Sequence, residues 1–177
     1  MRVFNAKCHA EKLTFEWIVE DIISNKEYLK LKNFCHHGKS NRFDHSIRVA
    51  KLSWRITKIL GLNSLEAARG AMLHDFYLYH NHEHDLKTHL TAHPKDALFQ
   101  SKKHFELTDR ESDIILCHMW PISDRRPTYP ESYIVNIADT LCAVKEYCIS
   151  LKVQRSRNEA RKLSCPLQPQ TPCGQGQ

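Results

Sequence analysis

Apolar residues recur along this chain at intervals of three and four, the spacing that lines one face of an α-helix, and nowhere alternate as a strand would require. From Glu11 to Ser24 they fall at Leu13, Phe15, Trp17, Ile18, Ile22 and Ile23, which predicts an amphipathic helix. A shorter helix is predicted over Lys26–Cys35, ended by His36-His37-Gly38. Asp44–Leu60 predicts a longer one, with Ile47, Ala50, Trp54 and Ile56 inward and Gly61 as its stop. Asn63 and Glu66 form a capping-box-like start for a helix through Leu65, Ala68, Met72 and Leu73. Periodicity fails from Tyr77 to His89, which reads as a loop, and His93-Pro94 restarts the chain with Pro94 in a first helical turn. Thr108 and Glu111 cap a helix over Asp109–Met119, and Pro130 opens a last helix to about Lys152. The expected fold class is all-α, a bundle of six to seven helices.

Composition changes this picture only at the end of the chain. After Val153 the residues turn to Gln, Pro, Arg, Ser and Gly, so 153–177 reads as a basic, disordered tail on a single domain of residues 1–152, with helices 11–35 packed on it. No run approaches the roughly 20 apolar residues that cross a bilayer, and Met1–Glu20 lacks the apolar block of a signal peptide, so a soluble cytoplasmic protein is expected. Seven cysteines without a Cys-x-x-Cys pair suit reduced thiols better than a zinc ribbon or a disulfide framework. The net charge of +6 owes part of its size to Arg155, Arg157, Arg161 and Lys162. The other basic residues are scattered without aromatic partners. That pattern favours small anionic partners over a dedicated nucleic-acid surface.

Histidine is the unusual residue, with twelve in the chain. Four expected helices and one expected loop bring His45, the pair His74-Asp75, His93, His118 and Asp139 into apolar contexts. Asp139 lies within Tyr133–Leu141 and His74-Asp75 ends Gly70–Leu73, both read as core-facing. An unpaired carboxylate buried there would cost on the order of several kcal/mol, so it needs a cation or a dense hydrogen-bond set. Mixed imidazole and carboxylate ligands suit iron, manganese or zinc. Taken singly, each histidine is more often a hydrogen-bonded core or surface group than a ligand, and Asp139 alone could pair with Arg48 or Thr140. The joint order carries the inference.

That order, with Asp44–Ala50, Ala71–Asp75, His93-Pro94 before Ala97, Ile114-Ile115 before His118, and Ile137–Asp139, resembles the HD superfamily of metal-dependent phosphohydrolases in its two-metal form, over about residues 36 to 150. The resemblance implies one divalent ion on His45, His74, Asp75 and Asp139, and a second on His93 and His118 with Asp75 bridging. Iron or manganese is the first expectation, with zinc, magnesium or nickel as alternatives. It further implies a hydroxide shared by the two ions, attacking the phosphorus of a nucleotide or other small phosphorylated metabolite. Asp75 would then be catalytic as well as a ligand.

Many two-metal relatives carry a lysine just after the His-Asp pair, whereas here Phe76-Tyr77-Leu78-Tyr79-His80 follows. Arg48, one turn beyond His45, is the first substitute, with Lys39 and Lys95 behind it. His37-Gly38-Lys39 reads as a helix-breaking turn or a phosphate contact. His80–His84 reads as a solvated loop or a lid, with His82 and His89 as candidate proton donors. Trp120 is a pocket wall or a stacking surface for a base. A di-iron oxygenase with the same six ligands is the rival function, and a non-catalytic sensing module is the third.

Overall fold

The computed structural model describes residues 14–35, 40–79 and 86–163. These hold eight α-helices and no strand; one isolated bridge pairs Cys35 with Asn41. None of the described helices is long and apolar enough to cross a membrane.

The first expected helix is two, α1 (Phe15–Ile18) and α2 (Glu20–Ile23), hinged at Val19. The second is α3 (Lys26–Leu29) continued by a 3-10 turn over Lys30–Asn33. Together they cover the bottom of the bundle. Phe15, Ile18, Ile22, Tyr28 and Leu31 are buried with Phe43, Met72, Leu73 and Phe76 in one core. The Tyr28 hydroxyl donates to the Met72 carbonyl, and its ring meets Phe76 edge-on at 5.2 Å. Arg69 fastens the layer from above, donating to Asp21 at 2.6 Å and to Glu111 at 2.9 Å.

Helix α4 (Arg42–Ile59) starts two residues earlier than expected, because Asn41 accepts from the Asp44 amide at 2.8 Å and caps it. Its buried face is Arg42, His45, Ser46, Val49, Ala50, Ser53 and Thr57, while Ile47, Trp54 and Ile56 are only half-buried. Small residues on that face let α5 (Ser64–Leu73) approach through Ala67, Ala68 and Ala71. On its other side, a Cβ at Gly70 would lie 2.9 Å from two carbons of Ile114, so only glycine lets α5 and α7 sit this close. The Asn63 side chain caps α5 through the Glu66 amide as expected, but the Asn63 backbone N–H donates to Glu131 rather than to Glu66.

Helix α6 corrects two expectations. It runs Leu86–His104, so the expected loop is helical from Leu86 onward and Pro94 sits in the interior rather than the first turn. Proline there forfeits one backbone hydrogen bond, and the polar residues ahead of it gave no periodicity to follow. Helix α7 (Asp109–Cys117) opens with the complete Thr108–Glu111 capping box. Helix α8 runs Pro130–Leu163, beyond the expected end near Lys152, and is about 51 Å long at 1.5 Å per residue. Only a stripe of it faces inward, at Val135, Ala138 and Cys142; Ile137, Leu141 and Val144 are exposed, so Tyr133–Leu141 does not face the core as a whole. Of the cysteines, Cys117 and Cys142 are buried free thiols, and Cys35 and Cys148 are exposed.

Candidate metal centre

Five elements converge on one buried cluster. His45 comes from the second turn of α4, His74 and Asp75 from the C-terminal end of α5, His93 from mid α6, His118 from the C-terminus of α7 and Asp139 from α8. All but Asp139 are buried, and its side chain is only 18% exposed. They sort into two adjoining triads, His45–His74–Asp139 and Asp75–His93–His118, each with ligand atoms within 4.8 Å of one another. Asp75 joins them. Its Oδ2 lies 3.7 Å from His74 Nε2, while its Oδ1 lies 3.6 Å from His93 Nε2 and 3.7 Å from His118 Nε2.

The imidazoles are oriented by their other nitrogens. His74 Nδ1 donates to the Ala71 carbonyl at 2.7 Å and His118 Nδ1 to the Ile115 carbonyl at 2.8 Å. Both are one turn back on their own helices, so a histidine at the helix end reaches its own last turn. His45 Nδ1 meets Glu146 Oε1 at 3.0 Å. In every case Nε2 is left to face the cluster. This is how histidine ligands are held in metal sites.

Three observations fit a divalent cation. His74 Nε2 is buried with no hydrogen-bond partner, its nearest carboxylate oxygens standing at 3.7 Å. His93 and His118 bring Nε2 atoms within 2.8 Å of each other, a contact in which one nitrogen must present a lone pair. Finally, two buried or half-buried carboxylates share the space with four imidazoles. The electrostatics diverge accordingly. Burial disfavours a charged His74, but Asp75 and Asp139 outweigh it and raise its pKa to about 9. Burial, with His93 and His74 as like-charged neighbours, pushes His118 down to about 3. Burial alone would raise Asp139, yet His45 and His74 hold it well below the usual carboxylate range.

The remaining expected site residues are dispersed. Arg48 does not stand free for a phosphate: its Nε donates to Glu146 at 3.0 Å and its Nη2 to Ser40. Lys95 is exposed on α6. Trp120 is half-buried and packs edge-on against Tyr133, its carbonyl accepting from Asn136 at 2.6 Å. His37, Lys39 and His82 lie outside the described residues, and of His89 only the helical backbone is described.

Sequence reasoning missed Glu146, which touches both His45 and Arg48; its signal was the seven-residue step from Asp139, two turns along the same face. It also missed Arg42, wholly buried, which donates to the carbonyls of Tyr77 at 2.9 Å and Tyr79 at 2.7 Å and stacks on the Tyr77 ring. Arg42 thereby fixes the segment that follows His74-Asp75, and the Tyr77 ring in turn packs on His93 at 5.3 Å.

A helical bundle enclosing paired His/Asp triads defines a candidate divalent-metal site. Residues 42–144 match the HD domain family, and the chain belongs to that family, whose members are generally metal-dependent phosphohydrolases. Ribonuclease Y of Pseudothermotoga lettingae is 31% identical over 116 residues, covering 66% of this chain and 21% of that protein. The chain thus spans about a fifth of that relative's length. No solved structure matches.

Proposed function

We propose that the protein is a phosphohydrolase that cleaves phosphate esters of nucleotides or other small phosphorylated metabolites at a dinuclear centre. The observation that carries this reading is the Asp75 carboxylate, which turns one oxygen toward each half of the cluster. His45, His74 and Asp139 with one Asp75 oxygen would hold one divalent ion; His93 and His118 with the other oxygen would hold the second. Iron and manganese suit this donor set best. Bound there, such ions supply Lewis acidity toward phosphoryl oxygens and acidify water at neutral pH.

The chain's own residues do the rest. The Ala71 and Ile115 carbonyls and Glu146 fix three imidazole orientations, so little reorganisation is needed on loading. Arg48 acts as a positioning residue that holds Glu146. Phosphate contacts and leaving-group protonation fall to residues flanking the ligands: His37, Lys39 and Lys95 for the first, His82 and His89 for the second. Trp120, beside His118, is offered as the wall against which a substrate's apolar part rests.

The test is phosphate release under anaerobic conditions with Mn²⁺ or Fe²⁺, screened over nucleotides, cyclic nucleotides and sugar phosphates. Turnover without oxygen is expected. Turnover that consumes oxygen and stops without it would contradict the proposal.

A further inference from the structure

Helix α8 is apolar on two opposite faces. Val135, Ala138 and Cys142 are buried against the bundle, and Glu146 is buried one turn further on. Ile137, Leu141, Val144 and Leu151 are 46% to 56% exposed, with the exposed Cys148 among them. Their steps of four, three, four and three residues set them in one straight stripe. At about 100° per residue, that stripe is centred roughly opposite the buried face. Tyr147, also exposed, widens it on one side. From Ile137 to Leu151 it is about 21 Å long at 1.5 Å per residue. Apolar side chains left bare in a continuous row mark a surface that meets something other than water.

Charge narrows the choice of partner. Lys145 and Lys152 each follow a stripe residue, Val144 and Leu151, and so stand on one flank, while Arg155 lies a turn beyond Leu151 at the stripe's end. No exposed residue from Ile137 to Asn158 is acidic; Glu146 is buried and Asp139 belongs to the His/Asp cluster. We propose that the outer face of α8 is a peripheral membrane contact that lies in the plane of an anionic lipid surface. The apolar stripe enters about 5–10 Å, to the boundary of headgroups and acyl chains, and the lysines meet headgroup phosphates. A second copy of the chain fits this face less well. The four-three spacing is that of a coiled-coil seam, but Arg155 and Asn158 take its next two positions, so it stops short of the roughly three to four heptads that make such a pair. Pairing would also bring two sets of Lys145, Lys152 and Arg155 together with no exposed acid to offset them. At a lipid surface, an arginine that ends the stripe extends its head group to the interface.

The test is co-sedimentation of the full-length protein with vesicles of phosphatidylcholine and phosphatidylglycerol in equal parts, beside vesicles of phosphatidylcholine alone. Binding to the mixed vesicles is expected, weakening as salt is raised, with little binding to pure phosphatidylcholine. Lys145→Gln/Lys152→Gln should weaken it about fivefold for each charge removed. Val144→Ser/Leu151→Ser should weaken it roughly tenfold or more, since two apolar side chains leave the contact. All four positions are exposed, and the melting temperature of each variant checks that it folds. Ile59→Ser, at an apolar site 84% exposed on α4, is expected to bind like the wild type. A wild type that leaves the mixed vesicles unbound or binds pure phosphatidylcholine equally well would overturn the proposal. Binding that survives Val144→Ser/Leu151→Ser, or that Ile59→Ser weakens as much, would do the same. A dimer in gel filtration that Val144→Ser/Leu151→Ser splits, with vesicles left unbound, would overturn it in favour of a second copy.

Discussion

His45, His74 and His118 each use Nδ1 on the protein and turn Nε2 to the cluster, and only His45 does so through a side chain. Among these three acceptors, Glu146 is thus the one that mutation can remove. Glu146→Ala is expected to weaken metal binding about 10–100-fold, the usual cost of losing an outer-shell partner. Glu146→Gln keeps an acceptor for His45 Nδ1 and should recover part of the loss. Competition against a chromophoric chelator measures both; an alanine variant that binds as tightly as the wild type would remove Glu146 from the centre. At this scale the six candidate ligands were legible because imidazole and carboxylate are conspicuous in apolar helices. The pairing of Glu146 with Arg48 was not, because two exposed-looking charges on separate helices carry no sign of each other until α4 and α8 are laid side by side.

The elements reach the site by close approach and by buried anchors. Gly70→Ala would place a methyl against Ile114, and overpacking of this kind costs about 1–3 kcal/mol. The better helix propensity of alanine returns part of it, up to about 1 kcal/mol. Urea unfolding should show net destabilisation, and Gly70→Ala should cost less in an Ile114→Ala background, which lacks the two closest carbons; an unchanged cost would contradict the packing account. Asp113 anchors the segment between α7 and α8, accepting from the Thr128 and Tyr129 amides at 3.0 and 3.3 Å and from Ser132 Oγ at 2.6 Å. Burial opposes its charge, but these donors outweigh it and lower its pKa below 3.8. Its contribution is therefore full above the unfolded pKa and is lost as pH falls through the lower folded value. Asp113→Asn is expected to cost roughly 1.5–3 kcal/mol at neutral pH, and the gap from the wild type should close in strong acid. A gap unchanged at low pH would show that the charge is not what matters. The capping signals at Asn63 and Thr108 made α5 and α7 legible, whereas α6 escaped because its first turns are polar and carry a proline.

Across the whole molecule, α8 changes the reading most. Compositional bias suggested a tail from residue 153, but the helix continues to Leu163 and sets Arg157 on a groove between α4 and α8 that Arg48, Lys51 and Arg55 also line. Basic residues that look scattered in one dimension are gathered by helix packing, which no local pattern reports. The same packing sets Asp75 between His74 of one triad and His93 and His118 of its own. The most direct test of a bridged two-metal centre is metal stoichiometry by mass spectrometry after anaerobic loading, comparing the wild type with Asp75→Ala. The wild type is expected to retain two ions per chain, and the variant to retain neither and to release no phosphate. A variant that keeps one tightly bound ion, or stays active, would contradict the bridge.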